Sequence, residues 1–245
     1  LADEARLAEA AKEPQMAREK RSVSEKVKNQ AKASRRDAIA GLLKVVQADP
    51  SRDTAAEPLV RLCILTHDAN SLELARKAIF SVNPPPPMGS TLLAASVLTG
   101  PIERTGSEYA ARLAEAARQL DVLIKAYPDN NYIKIKRAAI ALEEGDLATA
   151  ETHVESLLKA EQGNSRARLL LARIRMKQGR FADAENILYQ LKAAFPNSIE
   201  AHYWYALAAD EVGRVEAAKT EMRAVTEMRS KIDPNESPDA LSLVA

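Results

Sequence analysis

The strongest constraint on this chain is a motif that returns every 34 residues. Three glycines keep this spacing, and an alanine follows each of them five positions later. A fixed period of this length indicates an array of identical paired-helix units. Glycine permits the left-handed turn that ends one helix, and the small alanine lets the next helix pack closely. The residues predicted for turns and packing are Gly145, Gly179, Gly213, Ala150, Ala184 and Ala218.

Further residues recur at the same 34-residue spacing. A small residue lies in the middle of each predicted first helix, at Cys63, Ala138, Ala172 and Ala206. Pro128 and Pro196, which close second helices, lie 68 residues apart, twice the period. On these features residues 55–231 resemble the tetratricopeptide repeat family. The resemblance implies an all-α, right-handed superhelical solenoid of antiparallel helix pairs, of the kind found in bacterial scaffold proteins.

The composition suits one helical array and argues against several other classes. The 245 residues are 46% hydrophobic but only 4% aromatic, so we expect a core of alanine and leucine. The net charge of +1 provides no general attraction to nucleic acid or membrane. No apolar run is long enough to span a bilayer. The chain begins with Leu1 and shows no signal peptide, so we expect a segment of a longer protein, from either the periplasm or the cytoplasm of a bacterium.

Three regions are predicted. Residues 1–50 form N-terminal helices, partly basic, and make an incomplete repeat. Residues 51–233 form about five helix pairs with an insertion near residues 83–106, and residues 234–245 form a tail or the start of another helix. Within the first region, Pro14 is expected to interrupt the helix, and residues 17–36 form a basic arm.

The first clear helix pair lacks the turn glycine. We expect helices over residues 57–67 and 71–82, with Pro58 tolerated in the first turn and Asn70 able to take the left-handed turn. Cys63 is interpreted as a buried packing residue rather than a catalytic thiol, although His67 lies one helical turn away. The step between equivalent alanines is longer here by seven residues, which marks residues 100–106 as a candidate contact loop.

The resemblance implies that the first helix of each pair lines a concave groove. A basic middle and an aromatic, acidic C-terminal part are expected there. Trp204 and Tyr203 are equally compatible with partner binding and with core packing. The residues predicted to contact a partner are Tyr132, Ile135, Arg166, Leu169, Arg173, Lys177, Tyr203, Trp204 and Leu207.

Two more specific functions are rejected on the residues. Repeat proteins that grip the acidic tails of chaperones use Lys and Asn on their first helices, whereas the corresponding positions here are Val60, Ile64, Ile135, Ala139, Leu169 and Leu170. No glycine-rich phosphate loop, catalytic triad or metal-ligand spacing is present, and the three histidines fall in different helix pairs. We therefore predict no catalytic residues, no cofactor and no metal.

The predicted function is a non-catalytic scaffold that binds another protein or a peptide segment in its groove. The expected setting is a larger assembly, such as a bacterial envelope, secretion, pilus or polysaccharide-export machine. Two alternatives stay open: a nucleic-acid-binding repeat that uses residues 17–36, which the lack of interleaved aromatics disfavours, and a regulatory domain of a larger enzyme. The oligomeric state is not predicted.

Overall fold

The computed structural model describes the backbone of residues 2–98 and 106–231, and the side chains from residue 25 onward within those ranges. Every regular element described there is helical. The helices are α1 (Ala2–Ala48), α2 (Asp53–Thr66), α3 (Ala69–Ile79), α4 (Pro87–Ala95), α5 (Gly106–Ala126), α6 (Asn131–Glu144), α7 (Leu147–Ala160), α8 (Ser165–Lys177), α9 (Phe181–Ala194), α10 (Ile199–Glu211) and α11 (Val215–Ser230). A 3₁₀ turn, Ser96–Leu98, follows α4.

The helices stack as a solenoid of antiparallel pairs. Each helix from α5 onward packs against its neighbour in sequence, and the first helices α2, α4, α6, α8 and α10 also contact one another in order. This pattern buries four successive apolar clusters rather than one central core. The predicted all-α solenoid is therefore confirmed.

Helix α1 differs from the prediction, because it continues through Pro14 as one helix up to Ala48. A proline inside a helix loses one backbone hydrogen bond and its ring crowds the preceding turn, at a cost of about 3 kcal/mol, which good helix formers on both sides can offset. The C-terminal part of α1 packs on α2 and α3 through the buried Ile39 and Val46. Residues 25–38, which include part of the basic arm, are all exposed.

The repeated glycines adopt the backbone conformation for which glycine is suited. Gly145, Gly179 and Gly213 have φ angles of 80°, 73° and 81°. After Gly145, the amide of Asp146 donates a hydrogen bond of 2.9 Å to the carbonyl of Ala141, and the same bond recurs at the other two turns. This is the Schellman arrangement, which satisfies the last carbonyls of a helix. The alanines five positions later are 0–8% exposed.

In the first pair, the left-handed residue is His67 and not Asn70. His67 has a φ angle of 54°, and the Asp68 amide donates to the carbonyl of Cys63 at 2.9 Å, as at the glycine turns. The Asp68 carboxylate accepts from the amide of Ser71 and so caps α3. Asn70 lies inside α3, because this cap starts the helix before it.

The expectation for Pro58 was also wrong, because α2 starts at Asp53 and Pro58 is an interior residue. The two Asp53 carboxylate oxygens accept hydrogen bonds from the Met88 and Gly89 amides, at 3.0 and 2.8 Å. The first residue of α2 thus caps the start of α4 across the interface between the two helices. Of the candidate contact loop at residues 100–106, only Gly106 is among the described residues; it begins α5.

A third series of residues keeps the 34-residue phase and was not anticipated. Asn130, Asn164 and Ser198 precede α6, α8 and α10, and each side chain accepts a hydrogen bond from a backbone amide of the first turn. Such caps satisfy the unpaired amides at a helix start and typically contribute about 1 kcal/mol each. The same phase predicts second-helix caps, but only Asp146 supplies one, since Arg180 and Arg214 make no cap bond.

Candidate functional site

The first helices α6, α8 and α10 lie side by side, so that equivalent residues on them form one continuous surface. We call this the first-helix surface. Its members that are half-buried or exposed are Tyr132, Lys136, Glu143, Arg166, Leu169, Arg173, Met176, Lys177, Glu200, Tyr203, Trp204 and Leu207. Eight of the nine predicted contact residues are among them.

Ile135 is the exception and requires a correction. It is only 9% exposed and belongs to the apolar cluster between α6, α7 and α8. Its side chain therefore supports the first-helix surface from beneath and is not open to a partner. Leu142 and Leu170, which are also first-helix residues, are buried in the same cluster.

Arg173 is the centre of the surface. Its Nη2 atom lies 3.1 Å from a carboxylate oxygen of Glu143 on α6, and its guanidinium carbon lies 4.8 Å from the ring centroid of Trp204 on α10. The indole in turn meets Tyr203 edge-to-face, with ring centroids 5.5 Å apart. One arginine therefore connects three first helices through an ion pair and a cation–π contact.

Trp204 is partly packed and partly accessible. It packs against the apolar cluster that contains Leu188 and Tyr205, yet it is half-buried rather than buried. Leu169 and Met176 of α8 pack against the same cluster and are also half-buried. The two interpretations of Trp204, core packing and partner contact, are therefore compatible within this geometry. Tyr205 is a core residue, 5% exposed, as expected.

Glu200 places a carboxylate among several cations. Burial raises the pKa of the Glu200 carboxyl, and the charges of Arg173, Arg166 and Lys136 act in the opposite direction. These three cations come from α6 and α8, whereas Glu200 lies in the first turn of α10. The electrostatic coupling shows that side chains from three first helices converge on one region of the surface.

Four members of this surface are absent from the nine predicted contact residues: Lys136, Glu143, Met176 and Glu200. Lys136 lies 5.4 Å above the ring of Tyr132, and Glu143 is the ion-pair partner of Arg173. The 34-residue phase could have found both, since Lys136 is equivalent to Trp204 two periods later and Glu143 to Lys177 one period later.

Cys63 and the metal-ligating residue types were the candidates for chemistry in the described residues. Cys63 is 1% exposed, and burial, with a smaller contribution from the charge of Asp68, raises the pKa of its thiol to about 11. A thiol in this state is a packing residue and not a nucleophile. Within residues 25–98 and 106–231, no group of three His, Cys, Asp or Glu could hold a metal ion.

No helix in the described part of the chain is both long and apolar enough to span a membrane.

Comparison with family models identifies the repeat. A tetratricopeptide repeat model matches residues 141–209 and again residues 176–245, and a second tetratricopeptide repeat model matches residues 108–165. Together the matches cover residues 108–245, which is more than half of the chain. The chain belongs to the tetratricopeptide repeat family.

Solved structures share the tetratricopeptide repeat fold. A tetratricopeptide repeat protein from Parabacteroides merdae aligns with a TM-score of 0.58 at 14% identity, over 81% of this chain and 75% of its own. A thermophilic tetratricopeptide repeat protein from Thermus thermophilus aligns with a TM-score of 0.56 at 17% identity, over 74% and 94%. Yeast Tom70 aligns with a TM-score of 0.55 at 15% identity, over 84% of this chain and 41% of its own. The search of curated proteins gave no match.

Tetratricopeptide repeats are interaction scaffolds and not catalysts, which agrees with the prediction of a non-enzymatic chain. The family match also explains the structure of the first-helix surface. Each tetratricopeptide repeat contributes one helix to it, so that residues 34 positions apart in sequence become neighbours in space. A ligand on this surface would therefore contact residues of this protein that lie about 34 positions apart in the sequence.

Proposed function

We propose that this tetratricopeptide repeat protein binds an extended segment of a partner protein across the first-helix surface of α6, α8 and α10. The observation that supports this proposal most strongly is the half-buried Trp204, held between Arg173 and Tyr203. Tryptophan and arginine dominate the binding energy of protein interfaces, and here an ion pair to Glu143 holds the arginine in place. A preorganised pair of this kind loses little side-chain entropy when a partner binds.

The larger assembly belongs to the same proposal. A scaffold whose binding surface spans three repeats suits a multi-component machine. We propose a bacterial envelope assembly as its setting. Recovery of the protein with membrane-associated complexes after gentle cross-linking of intact cells would support this setting. Recovery of only the free protein would contradict it.

The test of the binding surface uses the single tryptophan of the chain, Trp204, as its own reporter. A library of random short peptides displayed on phage is selected against the protein, and the selected peptides are titrated while Trp204 fluorescence is recorded. We expect the emission to shift on binding. Trp204→Ala and Arg173→Glu should each weaken binding by about tenfold or more, because they remove the two central contacts. Because Trp204→Ala lacks the reporter, its affinity and that of the parent are compared by the fluorescence anisotropy of a fluorescein-labelled peptide.

A matched control is Tyr189→Ala. Tyr189 is also a large, exposed aromatic residue, 57% accessible, but it lies on the second helix α9. Its removal should leave peptide affinity unchanged. If the selected peptides bind Trp204→Ala and the parent protein equally well, the first-helix surface is not the binding surface.

A further inference from the structure

The two arginines of the first-helix surface are not equivalent, and of the two only Arg166 is open to a ligand. Arg173 is occupied by Glu143 and by the Trp204 ring. Arg166, about two helical turns earlier on α8, is exposed and makes no hydrogen bond or ion pair among the described residues. Its guanidinium offers a fork of N–H donors that matches a carboxylate.

The local charge balance favours an anionic ligand group at Arg166. Three cations, Arg166, Arg173 and Lys136, act on Glu200, and Arg173 also pairs with the carboxylate of Glu143. Within this group the three positive charges exceed the two negative ones. Glu200 is within the field of Arg166 but forms no ion pair with it, so Glu200 does not occupy the guanidinium.

Apolar side chains adjoin this group of charges at Arg173. Trp204 is in contact with Arg173 and is half-buried, and Leu169 of α8 packs against the same apolar cluster. A large apolar side chain of a ligand would cover the accessible part of the indole and exclude water from the neighbouring charges. Removing water in this way strengthens a nearby ion pair.

We propose that the segment bound here carries an internal Asp or Glu that pairs with Arg166, next to a large apolar side chain that packs on Trp204. This inference rests on the proposed function and specifies the chemistry of the partner. The recognised group is a side-chain carboxylate within an extended segment, so a free C-terminus is not required.

The test examines which peptides the selection returns and how charge changes affect them. We expect the selected peptides to be enriched in Asp or Glu beside an aromatic or large aliphatic residue. Arg166→Glu should weaken their binding by about tenfold, and Glu200→Gln should strengthen it by about threefold, because it removes a negative charge near the ligand carboxylate. Amidation of the peptide C-terminus should have no effect, whereas replacing the acidic residue by its amide should abolish the preference.

The control variant is Arg168→Glu, which makes the same charge change on the same helix. The Arg168 guanidinium donates to Gln190 on α9 and so lies away from Trp204. Its reversal should leave peptide affinity within about twofold of the parent. Thermal melts followed by circular dichroism should coincide for the Arg166, Arg168 and Glu200 variants.

The remaining outcomes distinguish failure of this inference from failure of the proposed function. If binding depends on Trp204 but the peptides are not acidic, or Arg166→Glu binds them normally, this inference is wrong and the proposed function stands. If no selected peptide depends on Trp204, both are wrong. If a single-stranded RNA oligonucleotide displaces the peptides and its affinity depends on Arg166, the cations serve nucleic acid and the inference is overturned.

Discussion

Replacing Gly89 by alanine tests how closely α2 and α4 approach each other. A Cβ atom at position 89 would lie 2.6 Å from the Cβ atom of Ala56 and 3.1 Å from its carbonyl carbon, distances at which the helices must separate. Ala56 is completely buried in α2, so its methyl group has no free space into which it can move. Overpacking of this kind typically costs about 1–3 kcal/mol.

The same substitution at Gly41 is the matched control. Gly41 lies in α1, and a Cβ atom there would meet no other atom within 4 Å. Glycine to alanine in a helix gains up to about 1 kcal/mol from helix propensity, and this gain applies to both sites. Gly41→Ala should therefore be neutral or stabilising. Gly89→Ala should be less stable than Gly41→Ala by about 1–3 kcal/mol, which isolates the steric term.

Urea unfolding followed by circular dichroism gives the global comparison. Because a solenoid can lose one end before the rest, hydrogen exchange of the α2 and α4 amides should accompany it, and faster exchange is expected there in Gly89→Ala. Adding Ala56→Gly should recover part of the loss, since it removes the nearest clashing atom. Equal stability of Gly89→Ala and Gly41→Ala would refute the close approach of the two helices.

Three further predictions concern turns, caps and the thiol. Arg180→Asn should supply the missing cap of α9 and raise the free energy of unfolding by about 0.5–1 kcal/mol, measured by chemical denaturation. The ion pair between Arg180 and Asp183 that the substitution removes is exposed, so its loss costs little. His67→Gly should raise the melting temperature, corresponding to about 0.5–1 kcal/mol, because it removes a side chain from a left-handed turn. Cys63 should resist alkylation in the native state and react on unfolding. Because the folded thiol titrates near 11 rather than at the ordinary 9.0, stability should fall as pH rises through that window.

The sequence prediction of the fold was accurate where the 34-residue repeat is regular. The turns predicted at Gly145, Gly179 and Gly213 are all present, because the 34-residue spacing places each of them directly. The backbone predictions that were wrong, those for Pro14, Pro58 and Asn70, all lie before residue 131, where the glycine is replaced and the period is interrupted. There the backbone depends on tertiary contacts, such as the Asp53 cap on α4, which no local pattern reveals.

The surface was less predictable than the fold, because equivalent positions do not have equivalent surroundings. Lys136, Leu170 and Trp204 occupy the same place in successive repeats. Leu170 is buried, whereas Trp204 is half-buried and contacts an arginine of the preceding repeat. The period gives the position of a side chain on its helix, but the depth at which it lies depends on the side chains of the next repeat.

The contrast between positions that keep their residue type and positions that change it separates folding from recognition. The mid-helix position is alanine in three successive repeats, and all three alanines are at most 1% exposed, since only a small side chain fits between adjacent helices. The first-turn position, by contrast, changes from Tyr132 to Arg166 to Glu200, and none of these is buried. Packing therefore determines the residue type at the mid-helix position, whereas the residue type at the first-turn position can vary. A neutral, a basic and an acidic side chain at one structural position make the charge of the surface asymmetric along the repeats. Exchanging Arg166 and Glu200 should preserve the fold while altering which peptides are selected.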